Sequence, residues 1–400
     1  MRIDLVELIR IRMPLVRPFR TSYGVDAERD TFLLRVVTDS AEGWAEFAGD
    51  PEPLYCPEFT AGAELALQDH LLPRVVALQQ LTAAKVAPAL AGVKGNHLAK
   101  AVLETAILDA ELRGHAMSLA AYLGAVRDRV PAGVSVGIMD TIAELLEAVA
   151  AYLADGYVRV KLKIQPGWDI EPVVAVRQEF GDDLPLQVDA NTAYSLADAE
   201  HLRRLDDFGL VQIEQPLADD DLRGHAELGR LLSTPICLDE SIKSARDAAA
   251  AIAMRACRIV NIKPARVGGY LEARRVHDAC LAHGVPVWCG GMLETGVGRG
   301  ANLALAALPG FALPGDVSAS GRYYAEDLTS PFELDHGFLP VPQEPGTGVS
   351  PLPGPLSRHT VSRRELYARR RSVAFATDTG SESPSHPAQP MTPVINAGHQ

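Results

Sequence analysis

Five charged residues stand at the ends of five short apolar runs, and their spacing restricts the fold more than any other feature of this sequence. They are Lys163 in VRVKLKI, Asp189 in LQVDAN, Glu214 in VQIEQP, Asp239 in ICLDES and Lys263 in VNIKP. The intervals between them are 26, 25, 25 and 24 residues. Amphipathic stretches of helical length separate short apolar runs across this half of the chain, for example 141–153, 172–180, 197–205, 245–255 and 271–283. Near-continuous apolar strands alternating with helices are the pattern of a parallel sheet. The runs expected as strands are 133–138, 158–164, 185–189, 210–214, 235–239, 258–263, 285–291 and 311–316. Eight such units in about 190 residues predict an α/β fold, a (β/α)8-type barrel over 130–321. An open doubly wound sheet is the alternative, and no GxGxxG at a first strand–helix turn supports it.

The chain before the barrel reads differently. Runs 2–12, 31–38 and 43–47 have the β-branched and apolar content of strands, and 18–24 is a turn-rich loop holding Phe19 and Tyr23. From 60 to about 123 the apolar spacing is helical. Strands followed by helices predict an N-terminal α+β capping domain over 1–125, completed by about 322–374. Ser, Pro, Thr and Gly dominate 377–400, which is expected to be a disordered tail.

Composition excludes several functions. Asp plus Glu number 51 against 38 Lys plus Arg, a formal net charge of −13, which argues against a nucleic-acid partner. No apolar run approaches the ~18 residues of a membrane span. Residues 1–12 carry charges every few positions and lack the apolar core of a signal peptide. The five cysteines are odd in number and form no CxxC, so they read as reduced packing thiols of a cytoplasmic protein.

Barrels of this kind place their chemistry at the C-terminal ends of the strands. Asp189, Glu214 and Asp239 end three adjacent strands, so three negative charges gather on one side of the mouth. Any one of them alone reads as a helix cap or a salt-bridge partner. Three at equal spacing call for a hard divalent cation such as Mg²⁺, with Mn²⁺ or Co²⁺ as substitutes. No His or Cys accompanies them, which disfavours zinc.

Lys161 and Lys163 share one strand face, with attachment points ~6.6 Å apart. At that separation and an effective dielectric of ~20, two ammonium groups repel by roughly 2.5 kcal/mol, nearly ~2 pKa units. That neighbour, together with a nearby metal, is expected to bring Lys163 toward the ~7–8 that suits a general base. Lys263 lies four strands further on, the opposite side of an eight-strand ring. The pair therefore flanks whatever the metal holds. Two bases facing a planar intermediate suit racemisation, and one base with one stabilising cation suits β-elimination. In both, the metal stabilises the charge left when a proton leaves the carbon beside a carboxylate.

These motifs resemble the enolase superfamily, muconate-lactonising subgroup, which uses a Lys or His base with Mg²⁺. VRVKLKI, LQVDANTAY, IEQPL, ICLDESI, VNIKPARVGGYLEARRVHD, PVWCGGMLETGVGR and LPGDVSAS are most similar to the N-acylamino acid racemase and o-succinylbenzoate synthase family, over roughly residues 1–355. The resemblance implies a modified TIM barrel with a capping domain, a small-molecule carboxylate substrate and a homo-oligomer. It makes Lys163 and Lys263 the acid/base pair and Asp189, Glu214 and Asp239 the metal ligands. Lys161 would bind the substrate carboxylate and Asn191 would contact substrate. Ser135, Gly291 and Met292 would line an acyl or succinyl pocket, and Phe19 and Tyr23 would close over it. Lys263 argues against a mandelate-racemase type of site. A dipeptide epimerase would show Asp-x-Asp where this chain has Asp316-Val317-Ser318, so the substrate nitrogen is expected to be acylated or absent. Ala265 departs from the Gly expected after the catalytic lysine. A muconate cycloisomerase keeps the same lysines, and a non-catalytic binding protein on the same barrel is the alternative from another class.

Overall fold

The computed structural model of the chain describes residues 1–369. The expected tail, 377–400, and the last part of the segment 322–374 lie outside them. Strands β1 (Ile3–Arg20), β2 (Val25–Thr38) and β3 (Glu42–Glu46) build an antiparallel sheet. The sheet is buried on both faces because its strands alternate two apolar sets. Val6, Leu8, Phe32 and Leu34 join the main core with the N-terminal helices. Ile9, Ile11, Met13 and Leu33 pack against Val297, Tyr323, Tyr324 and Leu328. The hairpin β1–β2 is longer than the runs 2–12 and 31–38. Its tip is polar and hides the strand period in the sequence, yet Arg12 pairs across the hairpin with Glu28 at 3.4 Å and Asp30 at 3.0 Å. Phe19 therefore sits on a strand opposite Asp26, and only 21–24 make the turn.

The helix His97–Gly114 crosses this sheet with most of its residues buried. It comes so close to β3 that a Cβ on Gly43 would lie 2.1 Å from the Ala106 carbonyl oxygen and 2.4 Å from the Ala110 nitrogen. Both obstacles are backbone, so Gly43→Ala is expected to destabilise the fold by about 3 kcal/mol. The shift of the urea unfolding midpoint measures it. The same helix carries Glu104, whose carboxylate accepts the Leu271 amide at 3.1 Å, at the start of the barrel helix Tyr270–Ala282. Gly269 is required there: its φ is +132°, and a Cβ would fall 2.2 Å from Glu104 Oε1.

A short strand β4 (Arg129–Pro131) precedes the barrel. The barrel strands are β5 (Gly133–Val136), β6 (Arg159–Lys163), β7 (Leu186–Asp189), β8 (Ile213–Glu214), β9 (Ile236–Leu238), β10 (Ile259–Ile262) and β11 (Val287–Cys289). They pair in sequence order, all parallel. The eighth run, 311–316, is not a strand. It closes the ring through single bridges, Phe311 to Val287 and Gly315 to Ala132. Pro314 supplies no amide for a ladder there, and Gly315 approaches so closely that a Cβ would lie 2.6 Å from the Cys289 carbonyl oxygen. Beyond the barrel, β12 (Phe338–Pro340) pairs with β4, and β13 (Thr360–Ala368) returns to the N-terminal sheet beside β1. No helix among the described residues is long and apolar enough to cross a membrane.

Candidate active site

β6 explains how charge reaches the middle of an apolar barrel. All five residues of RVKLK are buried. Val160 and Leu162 belong to the main core, while Arg159, Lys161 and Lys163 occupy the alternate positions and turn inward. Register sets Ser135 beside Lys161, Lys163 beside Asp189, and Asp189 beside Glu214. Four strand steps separate β6 from β10, after which Lys263 follows.

One cavity, of about 40 Å³, gathers Ser135, Lys161, Lys163, Asn191, Lys263 and Asp316 from the barrel. Gly291 and Met292 line it from the segment after β11, and Phe19 and Tyr23 from the hairpin tip. That volume is far below the ~300 Å³ of small-molecule sites.

Asp189, Glu214 and Asp239 do not line the cavity; they lie against its lysines. Lys163 Nζ is 2.7 Å from Asp189 Oδ2 and 2.6 Å from Asn191 Oδ1. Lys161 Nζ is 3.1 Å from Asp189 Oδ2, 2.9 Å from Glu214 Oε2 and 2.7 Å from Asp316 Oδ2. Lys263 Nζ is 2.7 Å from Asp239 Oδ2, and Arg266 pairs with the other oxygen of that carboxylate.

The surroundings tune the lysines apart. Burial lowers the Lys163 pKa; Asp189 opposes the shift and Lys161 adds to it. Burial, more than the neighbouring ammonium, is thus the main cause. Burial would also lower Lys161, but Asp316, Glu214 and Asp189 outweigh it and hold that ammonium protonated. Lys263 is likewise held protonated: burial opposes, while Tyr55, Glu240 and Glu214 favour the charge. Burial would raise Asp189, yet Lys163 and Lys161 keep it well below the usual carboxylate range. Glu214 is pushed up by burial and by the Asp189 charge.

Residues 144–353 match the family model described as enolase C-terminal domain-like. The chain belongs to the enolase superfamily. An N-succinylamino acid racemase from an Amycolatopsis species is 61% identical, over 91% of this chain and 99% of its own length. An o-succinylbenzoate synthase from Geobacillus kaustophilus is 44% identical, over 92% of this chain and 97% of its own. A superfamily member of known structure from Listeria innocua superposes with a TM-score of 0.88 at 39% identity, covering 92% of this chain and all of that one.

Members of this superfamily depend on a divalent metal. Among the described residues, no three His, Cys, Asp or Glu side chains form a cluster able to hold one ion. The three expected ligands are instead each turned onto an ammonium or guanidinium. Their chemistry nonetheless fits a hard cation, being oxygen-only and drawn from three successive strand ends. Lys161 Nζ, shared between Asp189 and Glu214, marks a point where one positive charge already serves two of these carboxylates.

Several groups at the site escaped sequence reasoning. Tyr55 accepts from Lys263 Nζ at 3.1 Å and lies under it, ring centroid to ammonium 4.5 Å. Glu240, next to Asp239, accepts the Asn191 amide at 2.9 Å, and its other oxygen is buried without a partner. Asn261 donates to Glu214 at 2.7 Å, two residues before Lys263 and so on its side of the strand. Trp288 lies under two cations, 4.8 Å from Lys161 Nζ and 5.4 Å from the Arg159 guanidinium carbon. Two residues past Asp189, Asn191 would share its face if β7 continued. It lies beyond β7 with φ +43°, so Lys163, rather than strand period, fixes its side chain.

Asp316 ties the inner cations together, with Arg159 at 2.8 Å and Lys161 at 2.7 Å. Burial would raise its carboxyl, but Lys161 and Arg159 outweigh this and hold it well below the ordinary range. Stabilisation from a depressed carboxyl is present above its unfolded value of ~3.9 and lost as pH falls through the folded one. Asp316→Asn leaves two buried cations without their shared anion. It is expected to destabilise the fold by about 3 kcal/mol at neutral pH, and by less in acid. Urea unfolding at the two pH values checks this.

Proposed function

We propose that the chain removes the proton beside a carboxylate in a divalent-metal-dependent reaction, and does so for two kinds of substrate. One reaction is the dehydration of 2-succinyl-6-hydroxy-2,4-cyclohexadiene-1-carboxylate to o-succinylbenzoate, a step of menaquinone biosynthesis. The other is racemisation of N-succinyl or other N-acyl amino acids. Relatives bearing both names match nearly the whole chain. The observation that carries the reading is that Lys163 and Lys263 are buried in one cavity, at the ends of strands four steps apart, each against one of the three strand-end carboxylates.

Asp189, Glu214 and Asp239 would hold the cation, Mg²⁺ by preference, with Mn²⁺ or Co²⁺ as substitutes. When bound, it supplies Lewis-acid stabilisation of the negative charge that grows on the substrate carboxylate. Lys161, kept protonated, binds that carboxylate, and Asn191 and Asp316 orient the substrate around it. Lys163, the lysine with the lowered pKa, takes the proton from one face. In racemisation Lys263, held as the cation, returns a proton to the opposite face, and the two lysines exchange roles for the other enantiomer. In dehydration the proton taken by Lys163 leaves with the hydroxyl as water, while Lys263 stays charged. Ser135, whose Oγ is buried without a partner, lines the acyl pocket with Gly291 and Met292. Phe19 and Tyr23 exclude water above it.

In this proposal residues 1–125, completed by about 322–374, close the site and 130–321 carry the chemistry. The enzyme is a cytoplasmic homo-oligomer, which light scattering on the purified chain tests. The decisive assay supplies the purified enzyme and Mg²⁺ with the cyclohexadiene precursor and, separately, with N-succinyl-phenylglycine. Turnover of both is expected; turnover of neither ends this reading.

A further inference from the structure

The segment after β11 is held in a conformation that its own residues do not favour. Leu293 lines the cavity with φ +56°, in the left-handed region that non-glycine residues adopt at a cost of about 1–2 kcal/mol. Such strain persists only when the surroundings impose it. Three local contacts help: the Tyr324 hydroxyl donates to the Leu293 carbonyl at 2.5 Å, Arg299 donates to the Glu294 carbonyl at 2.5 Å, and the Met292 amide donates to Glu294 Oε2 at 2.8 Å.

The fourth support comes from the N-terminal sheet. Glu46, the last residue of β3, is buried against the start of the helix Gly296–Ala306. Its carboxylate accepts the Thr295 amide at 3.1 and 3.0 Å, the Thr295 hydroxyl at 2.7 Å and the Gly298 amide at 3.1 Å. Asp327 takes the Gly296 amide at 2.7 Å, and Thr295 caps Val297. Every donor at this helix start is therefore occupied, and Glu46 pins the residue two positions after Leu293.

We propose that Glu46 is a positioning residue for the acyl pocket: by anchoring Thr295 it keeps Leu293 left-handed, and so sets the shape of the Gly291–Leu293 wall that meets the acyl group. The inference rests on the reading of the site as one for N-acyl substrates. Glu46 touches no part of the catalytic pair and acts only through this segment.

Glu46→Gln tests it. A carboxylate accepts on both oxygens, whereas the amide accepts on one and presents its NH₂ group to an N–H donor. Burial and Glu294 push Glu46 up to about 7, while the Thr295 donors and Arg29 favour the anion; Tyr270 and Tyr324 also face it. The comparison is therefore made at about pH 8.5, where the carboxylate is ionised.

Two measurements are paired. Amide hydrogen exchange over 292–298 is expected to quicken at least about tenfold in the variant, with the rest of the barrel unchanged. The kcat/KM ratio for N-succinyl over N-acetyl substrate is expected to shift about tenfold, through KM rather than kcat. Unchanged exchange overturns the anchoring. Faster exchange with an unchanged acyl ratio overturns the link to the pocket. A wild-type enzyme that turns over neither acyl substrate overturns the functional reading instead, and the exchange data still decide whether Glu46 anchors the segment. If Glu46→Gln does not fold, Thr295→Val, which removes the 2.7 Å bond to Glu46 together with the cap on Val297, takes its place with the same outcomes.

Discussion

Lys163→Ala is expected to lower kcat for both dehydration and racemisation by about 10²–10⁴-fold, the range that a positioned general base contributes. Lys163 is the site lysine with a lowered pKa, and alanine leaves nothing to replace it. Asp189 keeps its ion pair with Lys161, so no buried carboxylate loses all of its cations. The fold should therefore survive, and removing a desolvated charge should leave the melting temperature equal or higher. Steady-state assays with circular dichroism on the same preparation check both halves. Turnover near that of the wild type would refute the role of Lys163.

Glu214→Gln gives the second large effect. Of the three expected ligands, Glu214 is bonded to neither Lys163 nor Lys263; its partners are Lys161 and Asn261. Its loss separates metal binding from the acid/base pair better than a change at Asp189 or Asp239. Lewis-acid stabilisation is worth several kcal/mol, so turnover at fixed Mg²⁺ is expected to fall about 10²–10³-fold, with partial recovery at high metal concentration. Dialysis against a chelator should silence the wild type, and added Mg²⁺ should restore it. Chelator-resistant turnover would remove the metal from the reaction.

The barrel and its charged strand ends were legible because one βα unit has a nearly fixed length, so regular spacing in sequence becomes adjacency in space. The lysines were legible because a cation within an apolar strand has few other uses. The eighth strand was not: Phe311 to Asp316 is apolar enough, but Pro314 and Gly315 reduce it to isolated bridges. The β1–β2 hairpin was underestimated because a polar ribbon tip masks the strand period. Tyr55 lies in an irregular stretch with no periodicity to place it, though it folds to within 3.1 Å of Lys263. Trp288 carries no signal in the sequence that sets it under Lys161 and Arg159, because sequence does not reveal which strand face points inward. The order of Asp189, Glu214 and Asp239 along the chain fixes their strands but not their rotamers. Sequence therefore could not show that each would lie on a lysine or arginine.

Opposite-face proton transfer is tested most directly by α-deuterium exchange in D₂O, following each enantiomer of an N-succinyl amino acid by NMR with Lys163→Ala and Lys263→Ala. If each amine serves one face, each variant should still exchange one enantiomer and lose the other, with reversed preference between the two. Variants that lose the same enantiomer would place the amines on one side, and variants that both exchange the two equally would tie neither amine to a face; either result contradicts the mechanism.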